Sequence, residues 1–299
     1  MKNKKKCMAA IGGIGLITAG NIAHQRHAEK SAEMTDGSGQ TVLITGASGG
    51  IGRELATVFA EHNFDLVLAA RNEEKLAESK RELEEKFSVH VMTIVKDLSD
   101  ENSAAELYAE ICKKGIFIDQ LVNNAGAGKQ AAVTDADPQI MQDLICLNIM
   151  SVTMLCRLFG HDMRERGFGR IMNVSSMGAF IPDPYFNVYG PTKAYELFLT
   201  EAMYGELHGT GVTVSALCPG PTKTNWAANA GKADARIAKD PRCVAQAGFI
   251  GMQAGQLIII PDADYRVLRR VMQHLPAKMQ ARIIAGWQRS LIRPGSCAK

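Results

Sequence analysis

Tyr189 and Lys193 stand four positions apart in Tyr189-Gly190-Pro191-Thr192-Lys193, the spacing at which two side chains share one face of a helix. A phenol whose pKa is about 10 is a poor acid–base catalyst near neutral pH. A neighbouring ammonium stabilises the phenolate and lowers that value. The pair is therefore suited to give a proton to a carbonyl oxygen as hydride arrives, or to remove one in the reverse direction. Ser175-Ser176 follows the apolar run Gly169 to Val174, and a hydroxyl at that strand end can hydrogen-bond the same oxygen. Y-x-x-x-K alone is a common surface-helix pattern, so its meaning depends on the elements around it.

The element that gives it meaning is Thr45-Gly46-Ala47-Ser48-Gly49-Gly50-Ile51-Gly52. Before it runs Thr41-Val42-Leu43-Ile44, a buried-strand pattern; after it Leu55, Val58 and Phe59 recur at helical spacing. Strand, glycine-crowded turn and helix start form an anion site, because a backbone without Cβ atoms approaches a pyrophosphate closely and free N–H groups point at it. Gly46, Ser48, Gly50, Ile51 and Gly52 are the candidate contacts. The T-G-x-x-x-G-x-G spacing differs from the G-x-G-x-x-G fingerprint.

Phe64 to Ala70 reads as the second strand, ending at Arg71-Asn72. An acidic residue there would bind a ribose 2′-hydroxyl, whereas an arginine accommodates a 2′-phosphate. Ala70 and Arg71 occupy the place, and Asp65 comes too early, so NADP(H) is favoured over NAD(H). Val89 to Val95 forms a third strand with Asp97-Leu98 placed for the adenine. Ile118 to Val122 leads into Asn123-Asn124-Ala125-Gly126, Thr213 to Leu217 into Cys218-Pro219-Gly220-Pro221-Thr222, and Gln256 to Ile260 is the last strand. A helical stretch runs from about Pro138 to Arg166 and contains Asn148. Strands alternating with helices predict a Rossmann-like, doubly wound parallel α/β sheet of about seven strands, with ligands beyond the carboxyl ends.

With these motifs assembled, the chain resembles the single-domain branch of the short-chain dehydrogenase/reductase family over roughly Thr41 to Ile260. The resemblance rests on Thr45-Gly46-x-x-x-Gly50-x-Gly52, Asn123-Asn124-Ala125-Gly126, Asn148, Ser176, Tyr189-x-x-x-Lys193 and Pro219-Gly220. It implies that Tyr189 is the acid/base, that Lys193 holds the nicotinamide ribose and lowers the tyrosine pKa, and that Ser176 positions the substrate oxygen. Asn148 would hold a water in a proton relay to Lys193. Asn124, Ala125, Gly126, Pro219, Gly220 and Thr222 would line the cofactor. The family's usual separation from the tyrosine selects Ser176, with Ser175 the fallback. The resemblance also implies a homodimer or homotetramer, and a mobile substrate lid between Lys223 and Lys239.

The 299 residues suit one large domain, and 46% hydrophobic content supplies a sizeable core. A net charge of +3 is too small to argue for nucleic acid. Seven scattered cysteines with no C-x-x-C suit reduced, mostly buried thiols, and His24-x-x-His27 lacks partners at metal-site spacing, so no metal is expected. Residues 1–40 form a separate segment: Lys2, Lys4, Lys5 and Lys6 precede an uncharged run from Cys7 to Ala23. That pattern fits a membrane anchor, a cleaved signal or a surface-lying segment, so the location is cytoplasmic or membrane-associated. Residues 41–262 read as the catalytic domain. Residues 263–299 read as two basic amphipathic helices, with Val267, Leu268, Val271, Met272 and Leu275, then Met279, Ile283, Trp287 and Leu291, on their apolar faces. Such helices can lie on a membrane surface or pack against protein.

The expected activity is NADPH-dependent interconversion of a ketone and a secondary alcohol. Phe180, Tyr185, Phe186 and Trp226 suggest a lipid-like substrate, a 3-oxoacyl thioester or a steroid. Reduction of small carbonyls or sugars is the alternative enzyme reading. A nucleotide-sensing or scaffold protein is the alternative of another class.

Overall fold

The computed structural model describes residues 30–31, 34–186, 188–232 and 237–290. The N-terminal lysines and apolar run, His24 and His27, and the tail from Leu291 onward lie outside the described residues.

Seven parallel strands form one sheet in the order β3-β2-β1-β4-β5-β6-β7. They are β1 (Thr41–Thr45), β2 (Asp65–Ala70), β3 (Val91–Val95), β4 (Gln120–Asn123), β5 (Gly169–Val174), β6 (Val212–Leu217) and β7 (Ile258–Ile259). Between them lie α1 (Gly50–Glu61), α2 (Glu73–Lys86), α3 (Ser103–Lys113), α4 (Pro138–Ile145), α5 (Ser151–Arg166), α6 (Tyr189–Glu206), α7 (Trp226–Asn229) and α8 (Pro241–Gln253). Near-continuous apolar strands are what a sheet covered on both faces requires. On one face Leu55, Val58 and Phe59 of α1 meet Val244 and Phe249 of α8 over Ile44, Leu66 and Leu68. On the other, Leu107 and Ile111 of α3 meet Val152, Leu155 and Phe159 of α5 over Leu43, Val67 and Leu121.

Several strands are shorter than their apolar runs. Val89 and Ile118 are buried without joining the ladder, because they fill the bottom of the core below the first paired residues Val91 and Gln120. The last strand keeps two residues of the five-residue run expected for it. The stretch from Pro138 to Arg166 is long and apolar enough to cross a membrane by length and composition. Val152, Leu155, Phe159 and Met163 of this helix are nevertheless buried against the sheet. It is not a uniform α-helix either: Cys146–Met150 forms a π turn between α4 and α5.

Two helices close the described chain, α9 (Ala263–Gln273) and α10 (Ala277–Ser290). They pack through Tyr265, Met272, Ile284 and Gln288, which are buried. Most of the apolar stripe read from the sequence instead faces outward: Val267, Leu268, Val271, Met279, Ile283 and Trp287 are exposed.

Candidate active site

The carboxyl ends of β1, β4, β5 and β6 converge on one edge, and the loops leaving them carry the sequence motifs. At the first, Gly46 turns with φ +66°, and a Cβ there would lie 2.9 Å from Ala125 Cα. The turn is fastened to the β4 exit. Thr45 Oγ1 accepts from the backbone N–H groups of Asn124 and Ala125, each at 3.0 Å, and Asn124 Nδ2 donates to Thr45 O at 2.9 Å. Gly52 sits beneath the same amide, where a Cβ would approach Asn124 Nδ2 to 2.4 Å. Asn124 and Gly52 are therefore parts of one clamp that shapes the turn.

Above it α1 begins with Gly49, extended and offering no side-chain cap. A Cβ on Gly49 would meet nothing within 4 Å. N–H groups at a helix start without a side-chain cap are the donor set a pyrophosphate needs. Ser48, Gly50 and Ile51 are half-buried at the rim, and Gly50 lies against Thr224.

At the far end of the cleft Arg71 is exposed, its Nη1 3.6 Å from Asp97 Oδ2. Partial burial pushes the Asp97 carboxyl up, but hydrogen bonds from Ser99 and the Arg71 guanidinium outweigh it and hold the group below its ordinary range. Asn72 Oδ1 accepts from the Lys75 N–H at 2.8 Å and so caps α2, which commits that side chain to the helix. Leu98 is buried beside Asp97.

On the substrate side the two serines face opposite ways. Ser175 Oγ donates to Lys193 O at 2.7 Å and is buried, anchoring α6 to β5. Ser176 Oγ accepts from the Gly178 N–H at 3.1 Å and lies near enough to the Tyr189 hydroxyl to favour its phenolate. Tyr189 opens α6 beneath an aromatic wall: its ring centroid is 4.7 Å from Trp226 and 6.1 Å from Phe186. Gly128 leaves the room this wall takes, since a Cβ there would reach Trp226 at 2.8 Å.

Lys193 differs from expectation. Its Nζ donates to Val174 O at 2.8 Å and to Glu196 Oε1 and Oε2 at 2.7 and 3.0 Å. Glu196 is 1% exposed, so the ammonium faces a buried countercharge. Burial, the largest cause, raises the Tyr189 hydroxyl well above its ordinary value. The nearby Ser176 hydroxyl opposes this, and the charges of Glu196 and Asp183 add to it. Burial outweighs the other influences on this hydroxyl, and the lysine expected to lower its pKa is paired with Glu196. Burial likewise lifts Glu196 itself to about 7, against the pull of Lys193. Tyr189, Lys193 and Glu196 fall at i, i+4 and i+7, one face of one helix. That spacing was the signal by which the sequence could have revealed Glu196.

Asn148 is fully buried in the π turn. Its Oδ1 accepts from the Ala127 N–H at 3.1 Å, and Nδ2 donates to Ala127 O at 2.9 Å and Thr192 Oγ1 at 3.0 Å. The amide thus ties the β4 exit to α6. Gly126 keeps the gap above it open, since a Cβ there would stand 3.1 Å from Lys193 Nζ. Pro219 O accepts from the Met177 N–H at 3.0 Å, joining the β5 and β6 loops. Gly220 lies against the Tyr265 ring. Thr222 Oγ1 donates to Gly220 O at 3.0 Å within its own turn. Part of the expected lid is described: Trp226–Asn229 is helical and Lys232 Nζ lies 4.9 Å over the Phe186 ring.

The family profile described as short chain dehydrogenase matches residues 40–235. A very-long-chain 3-oxoacyl-CoA reductase from Homo sapiens is 31% identical over 188 residues, 61% of this chain and 59% of that protein. The match thus spans less than two thirds of that relative's length. A short-chain dehydrogenase from Sphingobium yanoikuyae, solved in complex with NADPH, superposes with a TM-score of 0.71 at 30% identity, covering 87% of this chain and 99% of that one. The bulky-bulky ketone specific alcohol dehydrogenase from Comamonas testosteroni gives 0.68 at 29% identity, covering 87% and 97%. With a profile matched over most of its length and this sheet order, the chain belongs to the short-chain dehydrogenase/reductase family, oxidoreductases of CH–OH and keto groups that use a nicotinamide cofactor.

Proposed function

We propose that this protein is an NADPH-dependent reductase of bulky, lipid-like ketones, the 3-oxoacyl or steroid type. The observation that carries the reading is the Tyr189 hydroxyl, set near Ser176 and enclosed by Trp226 and Phe186. An apolar wall around a single proton donor suits a carbonyl on a large apolar body. The names of the human and Comamonas testosteroni relatives support the same substrate class.

The residues fit the cofactor: the glycine turn and uncapped start of α1 for its pyrophosphate, Arg71 for a 2′-phosphate, and Asp97 and Leu98 for its adenine. Asn124, Ala125 and Gly126, with Pro219, Gly220 and Thr222, border the place of its nicotinamide half. Bound NADPH supplies the hydride. Tyr189 Oη donates its proton to the carbonyl oxygen, while Ser176 Oγ hydrogen-bonds that oxygen and holds it in place. A raised phenol pKa keeps Tyr189 protonated, the form that reduction requires. Lys193 Nζ, beside Gly126, has the reach for a ribose hydroxyl once it yields one of its present acceptors. Asn148 holds the loop and α6 at a fixed separation around them.

Residues 41–262 form the catalytic domain in this reading. The protein assembles as a homo-oligomer through α5 and α6, where Met150 precedes α5 and Tyr195 and Phe198 of α6 are exposed. Purified full-length protein would be assayed with NADPH and NADH against 3-oxoacyl thioesters, steroid ketones, short aldehydes and ketoses. The expected result is a higher kcat/KM with NADPH and with the bulky ketones. Preference for ketoses or short aldehydes would overturn the substrate class. Cofactor binding without turnover of any member would favour a nucleotide sensor.

A further inference from the structure

An exposed apolar residue is ordinary when isolated. On α9 and α10 such residues come in rows. Val267 and Val271 are four apart, as are Met279, Ile283 and Trp287 in succession, and these five side chains are between 40% and 62% exposed. Each row runs beside a basic one. Arg266 and Arg270 precede Val267 and Val271 by one position, and Lys278 and Arg282 precede Met279 and Ile283. Across residues 263–290 there are six Lys and Arg and one acid, Asp264, and Lys239 is already 3.5 Å from that acid. Arg266, Arg269 and Arg270 also line a cavity of about 510 Å³ against Ile260 and Gln273.

Such a face excludes most partners by its charge. A second copy docked through the same patch would place cations on cations, which costs rather than stabilises. An anionic lipid surface satisfies both rows: apolar side chains enter the headgroup boundary while long basic ones reach the phosphates. A tryptophan in the row suits the same boundary.

The face adjoins the candidate active site. Gln288 donates to the Asp183 carboxylate, and Arg289 Nε donates to Tyr185 Oη at 2.7 Å. Lys232 lies 5.1 Å over the Trp287 ring and 4.9 Å over that of Phe186, which packs against Tyr189. α10 thus borders the loop and lid around Tyr189, and Trp287 belongs both to that border and to the apolar row.

We propose that α9 and α10 dock the enzyme on an anionic bilayer surface, with the mouth of the substrate pocket beside the lipid, so that amphiphilic ketones enter from the membrane. Docking itself does not depend on the activity; the entry of substrate rests on the reductase reading above. The test uses full-length protein with phosphatidylcholine vesicles, with or without phosphatidylglycerol. Wild type is expected to sediment with the anionic vesicles and to be released by salt. Arg270→Gln with Arg282→Gln should weaken that binding by about tenfold or more, given the affinity each near-surface cation adds. Val271→Ser with Ile283→Ser should weaken it comparably. Both double variants should keep wild-type turnover of a short water-soluble ketone, which shows that they fold. Equal binding to neutral vesicles, no binding, or undiminished binding by both variants overturns the proposal. So does conversion of an oligomer to monomers with vesicle binding unchanged, which assigns the face to a second copy. If binding behaves as expected but no lipid-like ketone is turned over, the substrate reading fails and the docking face stands.

Discussion

Glu196→Gln is the most informative single substitution, because it removes a buried charge while keeping the shape that packs against Lys193. Glu196 lies seven residues beyond Tyr189 on α6, a rise of about 10 Å. At an effective dielectric of about 20, a unit charge at that range is worth ~1.6 kcal/mol, or about one pH unit. The Glu196 charge raises the Tyr189 pKa, so the glutamine variant should have the lower value. In alcohol oxidation, which needs the phenolate, the rise of kcat/KM with pH should come about one pH unit earlier than in wild type. In ketone reduction, which needs the phenol, the alkaline decline should move down by the same amount. Burial lifts Glu196 to about 7, so its charge is present only above that region and the two profiles should converge below about pH 6. A second readout is stability. The folded value, about 7, lies above the 4.5 of the free group, so the native state holds the extra proton. That contribution is fully present below about pH 4.5 and lost as pH rises through about 7. Denaturant titrations across this window should show wild type losing stability that the variant keeps. Superimposed pH–rate profiles for two folded, cofactor-binding proteins would refute the coupling of Glu196 to Tyr189.

Three further outcomes follow from the same site. Tyr189→Phe should lower turnover of every substrate by roughly 10²-fold or more and leave NADPH affinity, read by fluorescence titration, nearly unchanged; retained activity would remove Tyr189 from the chemistry. Arg71→Asp should raise the Kd for NADPH about tenfold or more with little effect on NADH, and an unchanged preference would show that another residue reads the phosphate. Gly52→Ala should cost about 1–3 kcal/mol in urea unfolding through overpacking, since its Cβ would stand 2.4 Å from Asn124 Nδ2 and 2.5 Å from Gly46 O.

What the sequence revealed was local. Apolar runs of β-branched residues announced the strands, and helical spacing announced α1 and α6, because both patterns are short-range consequences of backbone period. The parallel sheet and the placing of motifs at strand ends followed from alternation. The lengths of β3, β4 and β7 did not, since burial of Val89, Ile118 or Ile260 does not require ladder pairing. The π turn around Asn148 was hidden for a different reason: its partners Ala127 and Thr192 are remote in sequence, and one amide satisfied by both sets the local winding. The outward rows of α9 and α10 were read as apolar faces without their direction, because hydrophobic period cannot say whether a face meets protein or something else. Glu196 was legible in principle, by its register with Tyr189 and Lys193, once buried charge rather than motif is sought.

The π turn also determines how this chain can change in length. Cys146–Met150 carries one residue more than α-helical winding would use. Deleting one residue there would restore regular winding and leave α4 and α5 in the same register, because the under-wound turn already absorbs the rotation of about 100° that an extra residue adds. Leu144, the buried residue of α4, would keep its face to the core, but Asn148 would lose Ala127 and Thr192. The extra residue is thus spent on presenting one amide rather than on joining two helices, and a one-residue deletion in the turn should spare the fold while loosening the β4 exit from α6.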